Sequence, residues 1–406
     1  MKLPCTISFV EAVRIMALGL SLATFASQAV HAQTFKVLHA FEGGSDGASP
    51  QGALIRDNFG NLYGTANLGG NQDCAKGGCG VIFRLTSTGA ENILHRFVQT
   101  DGALPSANLI PDPADNVYST VSFGGPYGCD RKGCGGIFKM DKTGKLTLLY
   151  AFTGGSDGAN PYAGLIRDHA GNLYGVAFAG GSLGICPNTV NIGCGTVFKL
   201  ETTGKLVVLY TFIGADDGAA PYAPLLTDGE NLYGTASSDG AFGGGTVFKI
   251  DSKGNFSVLY AFTGVAGDGR IPYGGLIRDD SGNLYGTTVA GGSVNSYGIV
   301  YKLDPTGKET VLHVFTGPDG QWPWASLVFD KNGNLFGTTS FGGTNGDGTV
   351  FELDKAGNET ILHNFLSATD GSAVISRIIM DAAGNIYGTA DEGGGFDRGT
   401  AFEILR

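Results

Sequence analysis

One phrase returns seven times along this chain of 406 residues. It reads Asn61-Leu62-Tyr63-Gly64, Asn116-Val117-Tyr118-Ser119, Asn172-Leu173-Tyr174-Gly175, Asn231-Leu232-Tyr233-Gly234, Asn283-Leu284-Tyr285-Gly286, Asn334-Leu335-Phe336-Gly337 and Asn385-Ile386-Tyr387-Gly388. Successive starts are 55, 56, 59, 52, 51 and 51 residues apart. A period near fifty residues built from short β-prone runs marks a propeller or an array, which restricts the fold more than any composition argument. The 69 glycines and the lack of helical periodicity after Ala32 agree with many short strands joined by tight turns.

Residues 1–32 stand outside the repeat. Lys2 and Arg14 precede the apolar stretch Ile15 to Ala26, and Val30-His31-Ala32 places small residues where signal peptidase cuts. This reads as a secretory signal, leaving a mature domain of residues 33–406. An uncleaved anchor is the alternative, but the apolar run is shorter than the roughly 20 residues a spanning helix needs. Without that segment the chain carries 24 basic and 36 acidic side chains, a formal charge of −12. Nucleic acids and anionic membranes require a basic face, so neither is an expected partner.

The third unit shows what one repeat contains. Residues 161–168, 171–175, 195–200 and 205–212 are four strands, with Asp168-His169-Ala170-Gly171 and Thr202-Thr203-Gly204 as hairpin turns. Small residues such as Gly52, Ala53, Ala163, Gly164 and Gly275 precede the apolar pair of the first strand, which suits the crowded axis of a propeller. The fourth-strand phrase, Val37 to Phe41 in its first copy, occurs before any first strand, and the last unit ends after its third strand at 399–404. Pairing residues 34–41 with 399–405 would close the ring and remove its exposed edges, where an open array would leave them. The expectation is an all-β, seven-bladed β-propeller of four-stranded antiparallel blades, its last blade completed by the N-terminal strand.

Strand order places both short hairpins on one face and the more variable loops on the other. From the second-strand Asn to the third-strand aromatic the distances are 22, 22, 26, 17, 18, 17 and 17 residues, so three successive blades carry the long loops. Variable loops on a rigid scaffold are the usual carriers of binding. They also hold six cysteines in local pairs, Cys74 with Cys79, Cys129 with Cys134 and Cys186 with Cys194, which in a secreted chain read as disulfides. Zinc is a weaker reading, because the loops contain no histidine. Candidate ligand contacts are Tyr127, Asp130 and Arg131 in the second long loop and the exposed aromatics Trp322 and Trp324. Trp324 occupies the place of Tyr162, Tyr222 and Tyr273 in other units, a packing slot, which leaves Trp322 the freer indole.

Every unit also carries Asp-Gly before its first strand, from Asp46-Gly47 to Asp370-Gly371. Those carboxylates could ring the channel mouth and bind calcium, or satisfy backbone donors of their own turn; sevenfold repetition favours the second role. No other cofactor is expected. Histidines 39, 95, 313 and 363 alternate with Tyr150, Tyr210 and Tyr260 at one fourth-strand position, as a packing slot would. No nucleophile elbow, metal-ligand histidine pair or phosphate loop is present, so no catalytic residue is assigned.

The linked phrases Pro-Tyr-Ala-Gly-Leu-Ile-Arg-Asp, Gly-Asn-Leu-Tyr-Gly-Thr, Gly-Thr-Val-Phe-Lys-Leu and Val-Leu-Tyr-Ala-Phe resemble the bacterial GloVer (Gloeo_Verruco) tandem repeat of choice-of-anchor secreted proteins. Two units depart from it, at Ser119 and at Val374-Ile375. The resemblance covers the chain after residue 32 and implies secretion without a settled reaction. The functional expectation is a monomeric extracellular module binding a glycan or protein on the long-loop face. The alternatives are a propeller enzyme acting on polysaccharide or a small metabolite through carboxylates at the channel mouth, and a passive surface spacer.

Overall fold

The computed structural model describes residues 33–406 apart from 75–76, 127, 130–132, 182–185 and 187–192. Seven antiparallel four-stranded sheets form a seven-bladed propeller, and the described residues contain no helix. Blade one consists of Ile55–Arg56, Leu62–Ala66, Val81–Leu85 and Glu91–Arg96, from axis to rim. Blade seven consists of Ile379–Met380, Ile386–Ala390 and Thr400–Leu405, with Thr34–Ala40 as its outer strand. That outer strand runs antiparallel to Thr400–Leu405, from Thr34 opposite Leu405 to Ala40 opposite Thr400, so the two ends of the repeat close one ring.

The innermost strands are shorter than their sequence runs suggest. In blade three only Ile166 and Arg167 pair with the second strand, opposite Tyr174 and Leu173. The residues before them turn out of the ladder because that loop is tied instead to the preceding blade. Its left-handed residue donates its N–H across the blade boundary: Leu104 to the Cys79 carbonyl, Asn160 to Cys134, Ala220 to Cys194 and Trp322 to Tyr297. A residue with φ between 52° and 60° recurs there in every blade: Ser49, Leu104, Asn160, Ala220, Ile271, Trp322 and Ala373. Left-handed backbone is costly for side-chain-bearing residues, so the cross-blade bond and the proline beside it hold a strained turn in place.

Aromatic pairs fill the space between blades. The phenylalanine ending each outer strand meets the third-strand aromatic of the next blade edge-to-face: Phe41 with Phe83, Phe97 with Phe138, and so on to Phe365 with Phe402, at centroid distances between 5.0 and 5.4 Å. All are fully buried. The repeated Gly after Tyr has its reason here. Gly64 lies opposite Phe83, and a Cβ added to it would stand 2.6 Å from the Phe83 ring. In blade two Ser119 takes this place and donates its hydroxyl to the Asn108 carbonyl.

The short hairpins are structural, as their uniformity suggested. Asp112 accepts the N–H groups of Ala114 and Asn116, the Asn116 amide and the Tyr118 hydroxyl. Partial burial alone would raise its carboxyl, but these donors outweigh it and hold the pKa down to about 2. The same Asp-Asn-Tyr arrangement recurs around Asp57, Asp168, Asp279 and Asp381.

Candidate functional site

The inner strands of all seven blades enclose an axial cavity of about 900 Å³. Alternate residues of an extended segment point the same way, so each inner segment presents three positions to the axis. The first layer is Gln51, Ser106, Tyr162, Tyr222, Tyr273, Trp324 and Ile375. The second is Ala53, Asn108, Gly164, Pro224, Gly275, Ser326 and Arg377. The third is the aliphatic belt Ile55, Ile110, Ile166, Leu226, Ile277, Val328 and Ile379. Beyond it Arg56 and Arg278 lie at the strand ends beside the short hairpins.

In the first layer the rings of blades three to six touch one another. Tyr273 stacks on Trp324 with centroids 4.5 Å apart and planes 6° apart, and Tyr162 stacks on Tyr222 at 5.3 Å. Tyr222 meets Tyr273 edge-on at 4.9 Å and reaches Trp324, two blades away, at 6.4 Å. Burial, then the neighbouring phenols and the Asp391 carboxylate of blade seven, push the Tyr222 phenol upward. The aromatic cluster thus leans across the axis and narrows the cavity at the long-loop end.

The other half of this layer is polar. The Asn67 amide donates to Gln51 at 3.3 Å, and Gln51 donates to the Asp391 carboxylate at 3.4 Å. Ser106 and Ser122 share a hydrogen bond at 2.8 Å. Asp391 takes the second-strand exit position occupied by Asn67, Ser122, Phe178, Ser237, Val289 and Ser340 elsewhere. Burial pushes its carboxyl up to about 6, and its Oδ1 has no hydrogen-bond partner.

Trp324 lines this cavity beside the tyrosines, in the slot its alignment suggested. Trp322 does not. It is 40% exposed, packs edge-to-face on Phe341 and occupies the left-handed turn. Tyr127, Asp130 and Arg131 lie outside the described residues. The three cysteine pairs are disulfides: Cys74–Cys79, Cys129–Cys134 and Cys186–Cys194. Cys79, Cys134 and Cys194 are fully buried, and their carbonyls hold the strained turns of blades two to four. The disulfides therefore brace blade boundaries as well as loops.

The Asp-Gly carboxylates do not ring the channel. Each turns outward to its own loop and to the fourth-strand His or Tyr. Asp157 accepts the Thr153 N–H and the Tyr150 hydroxyl, Asp217 those of Ile213 and Tyr210, and Asp101 the Val98 N–H beside His95 at 3.0 Å. The His/Tyr position expected to be a packing slot is thus a hydrogen-bonding slot. The narrow spacing of six to eight residues between these residues and their Asp was the available signal.

In five of these groups a residue at the start of the next blade's outer strand adds a third member. Where it is aromatic it stacks, as Phe256 does on Tyr210 and Phe35 on His363, both at 3.7 Å. Where it is glutamate, acidic clusters form. His39 Nε2 stands 3.6 Å from both Asp46 and Glu91, and His313 stands 3.0 Å from Asp319 and 3.6 Å from Glu359. Burial, then the Asp46 carboxylate, push Glu91 up to about 8, while burial depresses His39. These two groups are the described residues able to hold a metal ion, and one imidazole with two carboxylates suits a zinc-like ion better than calcium.

Family models match residues 24–186, 130–329 and 272–406 to the Gloeobacter/Verrucomicrobia repeat. The chain belongs to that family. No curated protein resembles it in sequence. Among solved structures similar to this Gloeobacter/Verrucomicrobia repeat protein, a puromycin hydrolase is 14% identical over 86% of this chain and 51% of its own, with a TM-score of 0.55. The extracellular domain of the one component system BT4673 from B. thetaiotaomicron is 14% identical over 92% and 42%, with a TM-score of 0.52. The gluconolactonase XC5397 from Xanthomonas campestris is 12% identical over 92% and 89%, with a TM-score of 0.45. This chain spans about half the length of the first two, and the likeness is one of fold. The disulfides are consistent with an extracellular protein.

Proposed function

We propose that this family member is a secreted, monomeric, non-catalytic binding protein that takes one end of a glycan into its axial cavity. The observation that carries the reading is the layer of Tyr162, Tyr222, Tyr273 and Trp324 lining a cavity of about 900 Å³, faced across the axis by Gln51 and Ser106. Flat rings with nearby amides and hydroxyls match the apolar faces and polar rims of sugar rings, and the volume lies within the small-molecule range. The ligand thus sits on the axis, with the long loops bracing the aromatic end. Closure gives the third strand of blade seven its partner, so every blade ends in a single outer strand at the rim, the short, protected edge that propellers keep, which supports a monomer.

One observation favours the rival enzyme reading: Asp391, with its carboxyl raised to about 6, has the character of a general acid. Glycoside hydrolysis ordinarily uses two carboxylates flanking the bond, and no Asp or Glu lines the cavity among the described residues. Binding is therefore the better supported function.

Trp322 and Trp324 are the only two tryptophans, so intrinsic fluorescence reads the site directly. Glycan binding should alter the emission of wild type and of Trp322→Ala, and Trp324→Ala should weaken affinity at least tenfold. Equal affinity of Trp324→Ala and wild type, or turnover of the glycan, would overturn the proposal.

A further inference from the structure

The cavity's charges run against those of the protein. The chain after residue 32 has a formal charge of −12, yet the charged residues lining the cavity are Arg56, Arg278 and Arg377, with no carboxylate among them. Arg56 is in part engaged, its guanidinium lying 5.5 Å from the centre of the Tyr387 ring. Arg377 is different. It projects into the middle layer, where the other six blades present Ala53, Asn108, Gly164, Pro224, Gly275 and Ser326. Those residues are small or neutral, so they leave room around the guanidinium and offer it no counter-charge.

No hydrogen bond or ion pair reaches Arg377 from the described residues. Its side chain is exposed to the channel but ringed by protein, and desolvation alone pulls its pKa below the ordinary arginine value. Its N–H donors therefore face the channel with no protein acceptor, and are free for a group that enters it. Blade seven also breaks the repeat locally, with Val374-Ile375-Ser376-Arg377 where the other six blades have Pro, and four of them, blades three to six, an aromatic after it. Ile375 in place of an aromatic leaves the guanidinium without a ring to stack on from its own segment.

We infer that Arg377 is the anchor for an anionic group of the ligand, and that the ligand class is an acidic saccharide whose carboxylate pairs with the guanidinium while its ring lies against the first-layer aromatics. A guanidinium presents parallel N–H donors that match a carboxylate in bidentate geometry, and the pairing is strongest where water is scarce. Arg56 and Arg278, at the strand ends beside the hairpins, extend the positive lining along the cavity. This inference rests on the reading of the cavity as the binding site, and it adds the charge of the ligand.

The test is calorimetric titration of the mature protein with short oligomers of glucuronate, galacturonate and mannuronate, each against the neutral hexose oligomer of the same length and linkage. At least one acidic oligomer should bind ten times more tightly than its neutral counterpart. Arg377→Met should lower the affinity for that acidic oligomer at least tenfold, so that it binds no more tightly than its neutral counterpart. Because the guanidinium has no protein partner, this variant should melt at or above the wild-type temperature. As a second variant, Ala53→Asp places a carboxylate in the same layer of the neighbouring blade and should lower acidic affinity selectively. A sulfated neutral oligomer shows whether the site accepts any anion or requires a carboxylate; binding as tight as the uronate's would overturn the carboxylate assignment. If neutral oligomers bind and acidic ones bind no better, the inference falls and the binding function stands. If no saccharide binds, both fall.

Discussion

Closure of the ring rests on seven residues, Thr34–Ala40, and on Phe41 immediately after them, so removing this segment is the most direct test of the architecture. A chain beginning at Glu42 loses the ladder with Thr400–Leu405, which leaves the backbone edge of that strand unpaired. It also loses Phe41, fully buried against Phe83, and Phe35, stacked on His363 at 3.7 Å and packed on Phe402 at 5.6 Å. Two aromatic and two aliphatic side chains, partly or fully buried, are together worth about 5–10 kcal/mol at the usual cost of re-exposing apolar area. That is comparable with the whole stability of a typical domain, about 5–15 kcal/mol. Circular dichroism melting and size-exclusion chromatography should show the truncated protein opened or aggregated, since an unpaired edge is a template for association. A peptide of residues 33–42 added in trans should restore the monomer and its transition. Phe41→Ala alone should cost about 3–5 kcal/mol by leaving a cavity at the blade-seven to blade-one boundary. A truncated chain that stays monomeric and melts within a few degrees of the full-length protein would refute the reasoning.

Two further outcomes follow from polar groups placed at blade boundaries. Glu309 accepts the Tyr260 hydroxyl at 3.0 Å and leaves its other oxygen buried without a partner; burial, then the Asp268 carboxylate, push it from its ordinary 4.5 up to about 7. A raised carboxyl pKa means the folded state holds the proton more tightly, so its contribution is complete below about pH 4.5 and is lost as pH rises through 7. Glu309→Gln, which resembles the protonated form, should melt close to wild type at pH 5 and about 1–3 °C higher at pH 8.5; equal differences at the two pH values would exclude this coupling. Replacing Cys129 and Cys134 together by serine should lower stability by about 2 kcal/mol, the entropy of a short closed loop, and leave glycan affinity within twofold. A larger loss of affinity than of stability would mean that this loop, and not the axial cavity, contacts the ligand.

The repeat was legible because each recurring residue answers a constraint that recurs in every blade. Gly64 yields space to Phe83, Asp57 caps its own hairpin, and Phe41 fills a boundary that exists seven times. Period and strand order therefore determined the fold, the number of blades and the closure by residues 34–41, and the local spacing of cysteines determined the three disulfides. Two readings needed correction. The fourth-strand His or Tyr is a hydrogen-bonding partner of the Asp-Gly carboxylate and not a packing slot, and the innermost strands pair over only two residues because their loops bond across blade boundaries.

Arg377 and Asp391 each occur once, at positions where the other units carry small, neutral or apolar residues, and although the repeat breaks at Val374-Ile375 just before Arg377, the sequence does not place either residue at the axis. Their meaning arises only when seven segments, each about fifty residues from the next, meet around one axis. Burial and the absence of a counter-charge are properties of that meeting. A repeated sequence specifies contacts between neighbours in the ring, but the electrostatics of the axis depend on all seven blades at once, so the sequence determined the scaffold and only the tertiary structure decided where a single unmatched charge would stand.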